Sequence, residues 1–216
     1  MKILALGAHP DDIEFGCGGS LLRFARAGHD VYLYVATCGE LGGDSGIRKI
    51  EQESASAYYG VKKLFWGGYI DTQIPLTKEL ITNIEEVIRK VCPDYIFVHY
   101  EEDTHQDHRN LSKATMSATR YVPNFLFYEG PTTVNFSPNV YVDIDSIVDE
   151  KINLLRKHES QVSKVIPGMP ELSIVDFAVS TARFRGIQGR MKTAEAFRSL
   201  RLFIDIQNIT EADKRS

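Results

Sequence analysis

Short apolar runs alternate along the chain with longer segments in which apolar residues recur three and four positions apart. The short runs predict buried β-strands, because a strand covered on both faces is apolar along its whole length. Four such strands are predicted over residues 3–6, 31–36, 63–66 and 95–99, and two further strands over residues 125–128 and 140–144.

The segments with helical spacing predict helices between these strands. Gly28 and Gly60 suit left-handed caps at the ends of the first two helices, and Pro93 follows the third. Strands alternating with helices predict a mostly parallel sheet flanked by helices, within a single α/β domain over residues 1–216 whose polar tail, 211–216, is frayed. The predicted helices cover residues 19–27, 47–59, 77–91, 107–120 and 147–158.

Composition places the chain among ordinary globular proteins. Hydrophobic residues make up 43% of the chain and charged residues 25%, which argues against disorder and against fibrous classes. Lys and Arg number 25 against 29 for Asp and Glu, a formal net charge of -4. An acidic balance gives no general attraction to phosphate backbones, so we expect no nucleic-acid partner.

The number of cysteines and the lengths of the apolar stretches predict the cellular location of the chain. Cys17, Cys38 and Cys92 are too few and too scattered for a disulfide framework, so a reducing cytoplasm is expected. The first apolar run is too short for a signal peptide and leads directly into His9. No stretch reaches the roughly 18 apolar residues of a membrane-spanning helix. We expect no membrane span, and we expect a homo-oligomer.

Residue types that bind metals cluster after the first and fourth strands. In open α/β sheets, ligands bind outside the carboxyl ends of the strands, near the point where strand order reverses. Imidazole and carboxylate suit zinc, and a catalytic zinc commonly keeps three protein ligands and one open position. Two histidines three apart at a helix start can face one side, and their spacing alone does not say which binds metal. The clusters are His9, Pro10, Asp11 and Asp12, and His105, Gln106, Asp107 and His108.

Other chemically suggestive residues favour structural roles. The glycines over residues 16–19 lack the spacing of a dinucleotide fingerprint and predict tight packing instead. Residues 101–103 predict a solvated acidic loop, and Cys17 predicts small-residue packing. The remaining histidines, which have no clustered partners, predict structural or surface positions: His29, His99 and His158.

The two clusters resemble the motifs of the PIG-L superfamily of N-acetylglucosaminyl deacetylases, which includes the LmbE-like bacterial proteins. The resemblance rests on residues 8–14 and 105–108 and extends through residues 37–40, Arg48 with Glu51, Asp71 and residues 186–197. It implies a Rossmann-like sheet with zinc, or another divalent metal, held by His9, Asp12 and His108.

The resemblance also implies roles for the remaining motif residues. Asp11 is expected to be the general base, His105 to stabilise the oxyanion, and Asp107 to orient His105 and keep it protonated. Arg48 and Asp71 are similar to substrate-binding residues, Asp71 to a ligand of sugar hydroxyls. Glu14 lies one position late in the first motif and is expected to support the loop.

The chemistry of these residue types agrees with amide hydrolysis. Zinc can lower the pKa of its water to about 7, and a nearby carboxylate can move the proton to the departing amine. The predicted activity is a metal-dependent hydrolase that removes the acetyl group from an N-acetylglucosamine-type sugar or sugar conjugate. One alternative is an amidase acting on a related glucosaminyl conjugate. The other is a non-catalytic sugar-binding relative, which would need neither a general base such as Asp11 nor an oxyanion donor such as His105.

Overall fold

Within residues 1–165 and 168–204, which the computed structural model describes, seven strands form one sheet. The tail predicted to fray lies outside the described residues. The strands are β1 (Lys2–Gly7), β2 (Asp30–Thr37), β3 (Lys63–Tyr69), β4 (Tyr95–His99), β5 (Asn124–Tyr128), β6 (Val140–Asp143) and β7 (Ala194–Arg201).

Helices cover both faces of the sheet, with local signals at their ends. Thr77 accepts a hydrogen bond from the Leu80 amide at the start of the third helix, and Gly60 ends the second in the left-handed conformation. The helices are α1 (Asp12–Arg26), α2 (Ser45–Tyr59), α3 (Lys78–Val91), α4 (Gln106–Ala118), α5 (Val148–Leu155), α6 (Glu159–Val162) and α7 (Ile174–Gly189). No described helix has the length and apolarity to cross a membrane.

The strand order β3-β2-β1-β4-β5-β7-β6 confirms the predicted mostly parallel sheet and the Rossmann-like fold. The pairs from β3 through β5 are parallel, and β7 pairs antiparallel with both β5 and β6. The chain builds outward from β1 to β3 and then returns to place β4 on the other side of β1. Strand order therefore reverses between β1 and β4, the position at which such folds bind ligands.

Side chains of β1 alternate between two apolar clusters, one on each face of the sheet. Ile3 and Ala5 belong to one cluster and Leu4 and Leu6 to the other, and all four are fully buried. The two-residue period of a strand explains this division, and burial on both faces explains why the run is continuously apolar.

The structure corrects the predicted helices at three places. The first helix begins at Asp12 rather than residue 19, so the metal-type residues of the first motif lie at its start. The helix predicted over residues 147–158 is the shorter α5, which ends at Leu155, and the unpredicted α6 begins beyond that range at Glu159. Helix α7 and strand β7 were not predicted, although Ser173 and Asp176 form a capping box at the start of α7.

Glycines in α1 allow the helix to lie close to the sheet. A Cβ atom at Gly16 would lie 2.1 Å from Cδ2 of Tyr128, a fully buried ring on β5. A Cβ atom at Gly19 would lie 2.9 Å from Ile144. These contacts agree with the packing role predicted for the glycines.

Strand β7 also holds α1 through a buried ion pair. Glu195 accepts hydrogen bonds from the amides of Gly19 and Ser20 at 2.8 and 2.7 Å, and Lys151 of α5 lies 2.6 Å from the same carboxylate. Lys151 also donates to the Phe15 carbonyl at 2.6 Å. One carboxylate therefore joins α1, α5 and β7.

Lys151→Met is expected to lower the free energy of unfolding by about 3–5 kcal/mol, because it leaves the buried Glu195 carboxylate without its cation. Urea unfolding measures the change. Lys192→Met is the matched control, since Lys192 pairs with Asp145 at the surface and such pairs contribute about 0–1 kcal/mol. Equal effects from the two variants would contradict the buried-pair argument.

Candidate active site

The two motif loops meet at the carboxyl ends of β1 and β4. Ala8 follows β1 directly, and its amide donates to Nε2 of His99, the last residue of β4, at 3.1 Å. The Ala8 carbonyl accepts from the Thr37 amide at 2.9 Å, which ties the loop to β2 as well. His9 therefore leaves a rigid strand end, as predicted from the Pro10 that follows it.

Asp12 lies against both histidines that were predicted to share a metal with it. Its Oδ2 is 3.3 Å from Nδ1 of His9, and its Oδ1 is 3.4 Å from Nε2 of His108. Metal–ligand distances of about 2.0–2.1 Å in a tetrahedral site put neighbouring ligand atoms about 3.3 Å apart. Each of these two separations therefore fits a pair of neighbouring ligands of a tetrahedral ion such as zinc, and the donor types, two imidazoles and one carboxylate, suit that ion.

Three groupings of donor atoms in the described part of the chain have all their members within 4.8 Å of one another here, and none of the three is the predicted set of His9, Asp12 and His108. These groupings share His9 or His108 with the predicted ligand set, so the exact set of ligands stays a prediction. They are His9 with His105 and His108, Asp12 with His99 and His108, and His9 with Asp71 and Asp107.

His9 is surrounded by carboxylates. Its Nε2 lies 2.9 Å from Asp71 and 3.3 Å from Asp107, on the opposite side of the ring from Asp12. Burial opposes charge on the ring, but the hydrogen bonds to Asp107, Asp12 and Asp71 outweigh it and raise the pKa of His9 to about 12. A carboxylate behind a ligating histidine fixes the ring and makes the other nitrogen a better ligand.

His108 has a carboxylate behind it in the same way. Oδ2 of Asp103 lies 3.2 Å from Nδ1 of His108, and Oδ1 accepts from the His105 amide at 2.8 Å. Asp103 is only 4% exposed, so the prediction of a solvated acidic loop is wrong at this residue. Because its carboxylate turns inward to two histidines, Asp103 orients the second motif.

His99, for which no clustered partner and a structural or surface position were predicted, lies buried among the residues of the site. Its ring stacks on that of His108 with centroids 3.9 Å apart, and its Nε2 lies 3.1 Å from Asp12. Because Nε2 accepts the Ala8 amide, the ring is neutral. Burial and the charge on His108 lower the pKa of His99 to about 4, in agreement.

Asp11, the predicted base, is the N-cap residue of α1 and has a left-handed conformation with φ of 97°, which is uncommon outside glycine. Its side chain is buried. Burial and the neighbouring Asp12 carboxylate raise the pKa of Asp11 to about 6, against the opposing charge of Arg48, whose Nη2 lies 3.7 Å from Oδ1. A carboxylate whose pKa is raised in this direction is better suited to accept a proton near neutral pH, and the role of Asp11 as general base stays a prediction.

His105 differs from its predicted state. Its Nδ1 accepts a hydrogen bond from the Asp107 amide at 3.2 Å, which is the N-cap contact of α4. Burial and the charges on His108 and His9 lower the pKa of His105. A neutral ring whose Nδ1 accepts carries its proton on Nε2, so His105 can still donate to an oxyanion. The expectation that Asp107 keeps His105 charged is not supported.

Asp107 is fully buried and faces away from its predicted partner. Its Oδ2 accepts from the Thr72 amide at 2.7 Å and lies 3.3 Å from His9, and its Oδ1 accepts from the Ile74 amide at 3.1 Å. The described contacts join Asp107 to His105 through the backbone amide alone. The carboxylate instead connects His9 to the loop after β3.

Arg48 and Asp71 line an open cavity of about 240 Å³ together with His9 and His105. A larger groove of about 570 Å³ elsewhere, beside α5 and α7, is lined by no histidine. Arg48 and Asp71 already make hydrogen bonds to the backbone of the protein itself. Arg48 donates to the Gly39 and Pro10 carbonyls at 2.7 Å each, and Asp71 accepts from the Leu41 amide at 3.0 Å. Contact of either residue with a sugar stays a prediction.

The fold and the site together define a class: an α/β protein of Rossmann-like topology whose switch point carries a buried His–Asp cluster beside a small open cavity. Residues 4–119 match the family model PIG-L, described as GlcNAc-PI de-N-acetylase. The chain belongs to the PIG-L family of deacetylases.

Individual relatives agree with this membership. The chain is 35% identical to the uncharacterized deacetylase YaiS of Escherichia coli K12 over 73% of this chain and 90% of that protein. It is 32% identical to the diacetylchitobiose deacetylase of Thermococcus kodakarensis, over 74% and 70% of the two chains. The crystal structure of the conserved protein TT1542 from Thermus thermophilus superposes with a TM-score of 0.82 and 25% identity, over 94% and 96%.

Proposed function

We propose that this protein is a zinc-dependent hydrolase that removes the acetyl group from an N-acetylglucosamine-type sugar or a small conjugate of it. The observation that carries the proposal is the spacing of Asp12 from Nδ1 of His9 and Nε2 of His108, at 3.3 and 3.4 Å, because each separation is that of two neighbouring ligands of a tetrahedral ion, beside an open cavity. Family membership and the activities named for its relatives support the same reading.

His9, Asp12 and His108 would hold the metal. When bound, zinc supplies a water of lowered pKa and polarises the acetyl carbonyl. Asp107 and Asp103 would keep the two histidine rings in place from behind. Another divalent ion can fill such a donor set, and metal analysis of the purified protein decides its identity.

Residues of the protein would then transfer protons, stabilise the oxyanion and bind the sugar. Asp11 takes a proton from the attacking water and delivers it to the departing amine. His105 lines the cavity and donates from Nε2 to the oxygen on which negative charge develops. Arg48 and Asp71, on other parts of the cavity wall, contact the sugar.

Acetate release tests the activity. Metal-free protein reconstituted with zinc is assayed against N-acetylated monosaccharides, nucleotide sugars, chitobiose and N-acetylglucosaminyl malate. Release of acetate from at least one of them, dependent on the metal, is expected. Release of an amine from a larger acyl conjugate without acetate would favour the amidase alternative. Saturable sugar binding without any hydrolysis would favour a non-catalytic relative.

His105→Ala is expected to lower the turnover number by about 10²–10³-fold, the usual effect of losing one oxyanion donor. The Michaelis constant should change little, because the donor acts where charge develops. Gln106→Ala is the matched control, since Gln106 is the exposed neighbour whose amide donates to the Thr72 carbonyl. Steady-state kinetics on the active substrate measures both variants. A rise in the Michaelis constant alone would assign His105 to binding instead.

A further inference from the structure

The peptide unit that joins Pro10 to Asp11 is held at both of its polar ends by helix α2. Nη2 of Arg48 donates to the Pro10 carbonyl oxygen at 2.7 Å, and the Asp11 amide donates to Oε1 of Gln52 at 3.4 Å. Arg48 and Gln52 are four residues apart, so one face of the helix presents both side chains. The plane of this peptide therefore has a single orientation that satisfies both contacts.

The orientation of this peptide matters because Asp11 has φ of 97°. Rotation of the peptide would let Asp11 relax to an ordinary backbone conformation and would point its carboxylate elsewhere. Non-glycine residues persist in the left-handed region when their surroundings hold them there. The two contacts from α2 restrain rotation about the N–Cα bond of Asp11, the proposed base.

Gln52 is itself oriented by a second buried residue, Glu14. Nε2 of Gln52 donates to Oε1 of Glu14 at 2.8 Å, and both side chains are fully buried. Because a carboxylate accepts hydrogen bonds and does not donate them, the amide of Gln52 must turn its nitrogen to Glu14. Its oxygen is then left facing the Asp11 amide.

His158 completes the buried group. Its Nε2 lies 3.4 Å from Oε2 of Glu14, and its ring is fully buried. Burial opposes charge on the ring, but Glu14 raises the pKa of His158. The carboxylate that orients Gln52 thus favours the protonated form of the neighbouring histidine. None of these three side chains is among the residues that line the cavity.

We propose that Gln52, oriented by Glu14, is a positioning residue that holds Asp11 in its left-handed conformation and so places the catalytic carboxylate. The inference rests on the proposed function, because it takes Asp11 as the general base. It assigns to Glu14 more than support of the loop: through Gln52, it determines which way the peptide before the base faces.

Gln52→Leu should lower the turnover number by about tenfold to a hundredfold, since a displacement of about 1 Å can cost a hundredfold. The Michaelis constant and the metal content should stay within twofold of wild type. Ser56→Ala is the matched control, because Ser56 is buried one turn further along α2 and donates to the Gln52 carbonyl. A loss of turnover in Ser56→Ala equal to that in Gln52→Leu would overturn the proposal.

A double-mutant cycle with Asp11→Asn separates positioning from general destabilisation. Release of radiolabelled acetate can follow the slow residual turnover. If Gln52 acts through the base, Gln52→Leu should change turnover less than twofold in the Asp11→Asn background. The same fold-loss in both backgrounds would overturn the proposal. Full activity in Asp11→Asn alone would instead refute the proposed base, so the two failures are distinct.

Two variants of Glu14 test the proposal if Gln52→Leu does not fold. Glu14→Gln retains an oxygen that accepts from Nε2 of Gln52, whereas Glu14→Leu does not. Glu14→Gln should keep turnover within about twofold of wild type, and Glu14→Leu should reproduce the loss expected for Gln52→Leu. Equal losses in the two Glu14 variants would overturn the proposal.

Discussion

Asp11→Asn is expected to lower the turnover number by about 10²–10⁴-fold, the usual contribution of a general base. The amide has nearly the shape of the carboxylate and tolerates the left-handed conformation, but it cannot take a proton from water. Metal content should be unchanged, because the proposed ligands are His9, Asp12 and His108. Acetate release and elemental analysis on the same preparation measure both quantities.

Asp44→Asn is the control for this change. Asp44 caps α2 by accepting from the Ile47 amide at 2.9 Å, and asparagine caps helices equally well. Its turnover should therefore match the wild type. Wild-type turnover in Asp11→Asn would exclude Asp11 as the base, and loss of metal in that variant would make it a ligand instead.

His108→Ala is expected to abolish metal binding and, with it, acetate release. Loss of a residue behind a ligand already costs 10–100-fold in metal affinity or activity, and loss of the ligand itself should cost more. His29→Ala is the control, because His29 lies in the connection between α1 and β2, where it contacts the amino group of Met1. Elemental analysis after dialysis against a weak chelator should show about one metal per chain in the control and almost none in His108→Ala.

His99→Ala separates the two ligand sets that share Asp12 and His108. In the proposed set, His99 is a neutral residue that accepts the Ala8 amide and stacks on His108. Its removal should then weaken the metal site without emptying it. Complete loss of metal in His99→Ala, as in His108→Ala, would replace His9 by His99 among the ligands. Full occupancy in His108→Ala would contradict both sets.

Local patterns were sufficient to predict the parallel half of the sheet and the position of the site. The apolar runs of β1, β2, β3 and β4 are short and bounded by glycine, proline or helical spacing, so element type and order follow from periodicity. Once β1 and β4 are adjacent, the clusters that follow them must meet. For this reason the two motifs could be placed in one site before any contact was known.

The second half of the chain was harder to predict because its burial depends on tertiary contacts. Strand β7 carries Glu195, Arg198 and Arg201, charges that do not indicate a strand inside a sheet. Glu195 is buried only because α1 and α5 supply its partners. Helix α7 has apolar residues around its whole circumference, including the exposed Phe184 and Ile187, and so lacks a clear helical period.

The roles of individual site residues depend on which way each side chain turns. Asp103 belongs to an acidic run that indicates solvent, yet its carboxylate turns to His108 and the His105 amide. Asp107 lies beside His105 in sequence and faces His9 in space. Residue type and spacing could therefore identify the members of the cluster, but not which carboxylate supports which histidine.

The ion pair between Glu195 and Lys151 has a consequence for the order of events during synthesis. Both motifs leave the ribosome within the first 108 residues, but the carboxylate that anchors α1 is separated from Gly19 by 176 residues. Contacts so distant in sequence form late, because closing a long loop comes before the stabilisation it brings. We expect a nascent chain ending before β7 to hold the ligand residues without the rigid support they need, so that metal uptake follows completion of the last strand.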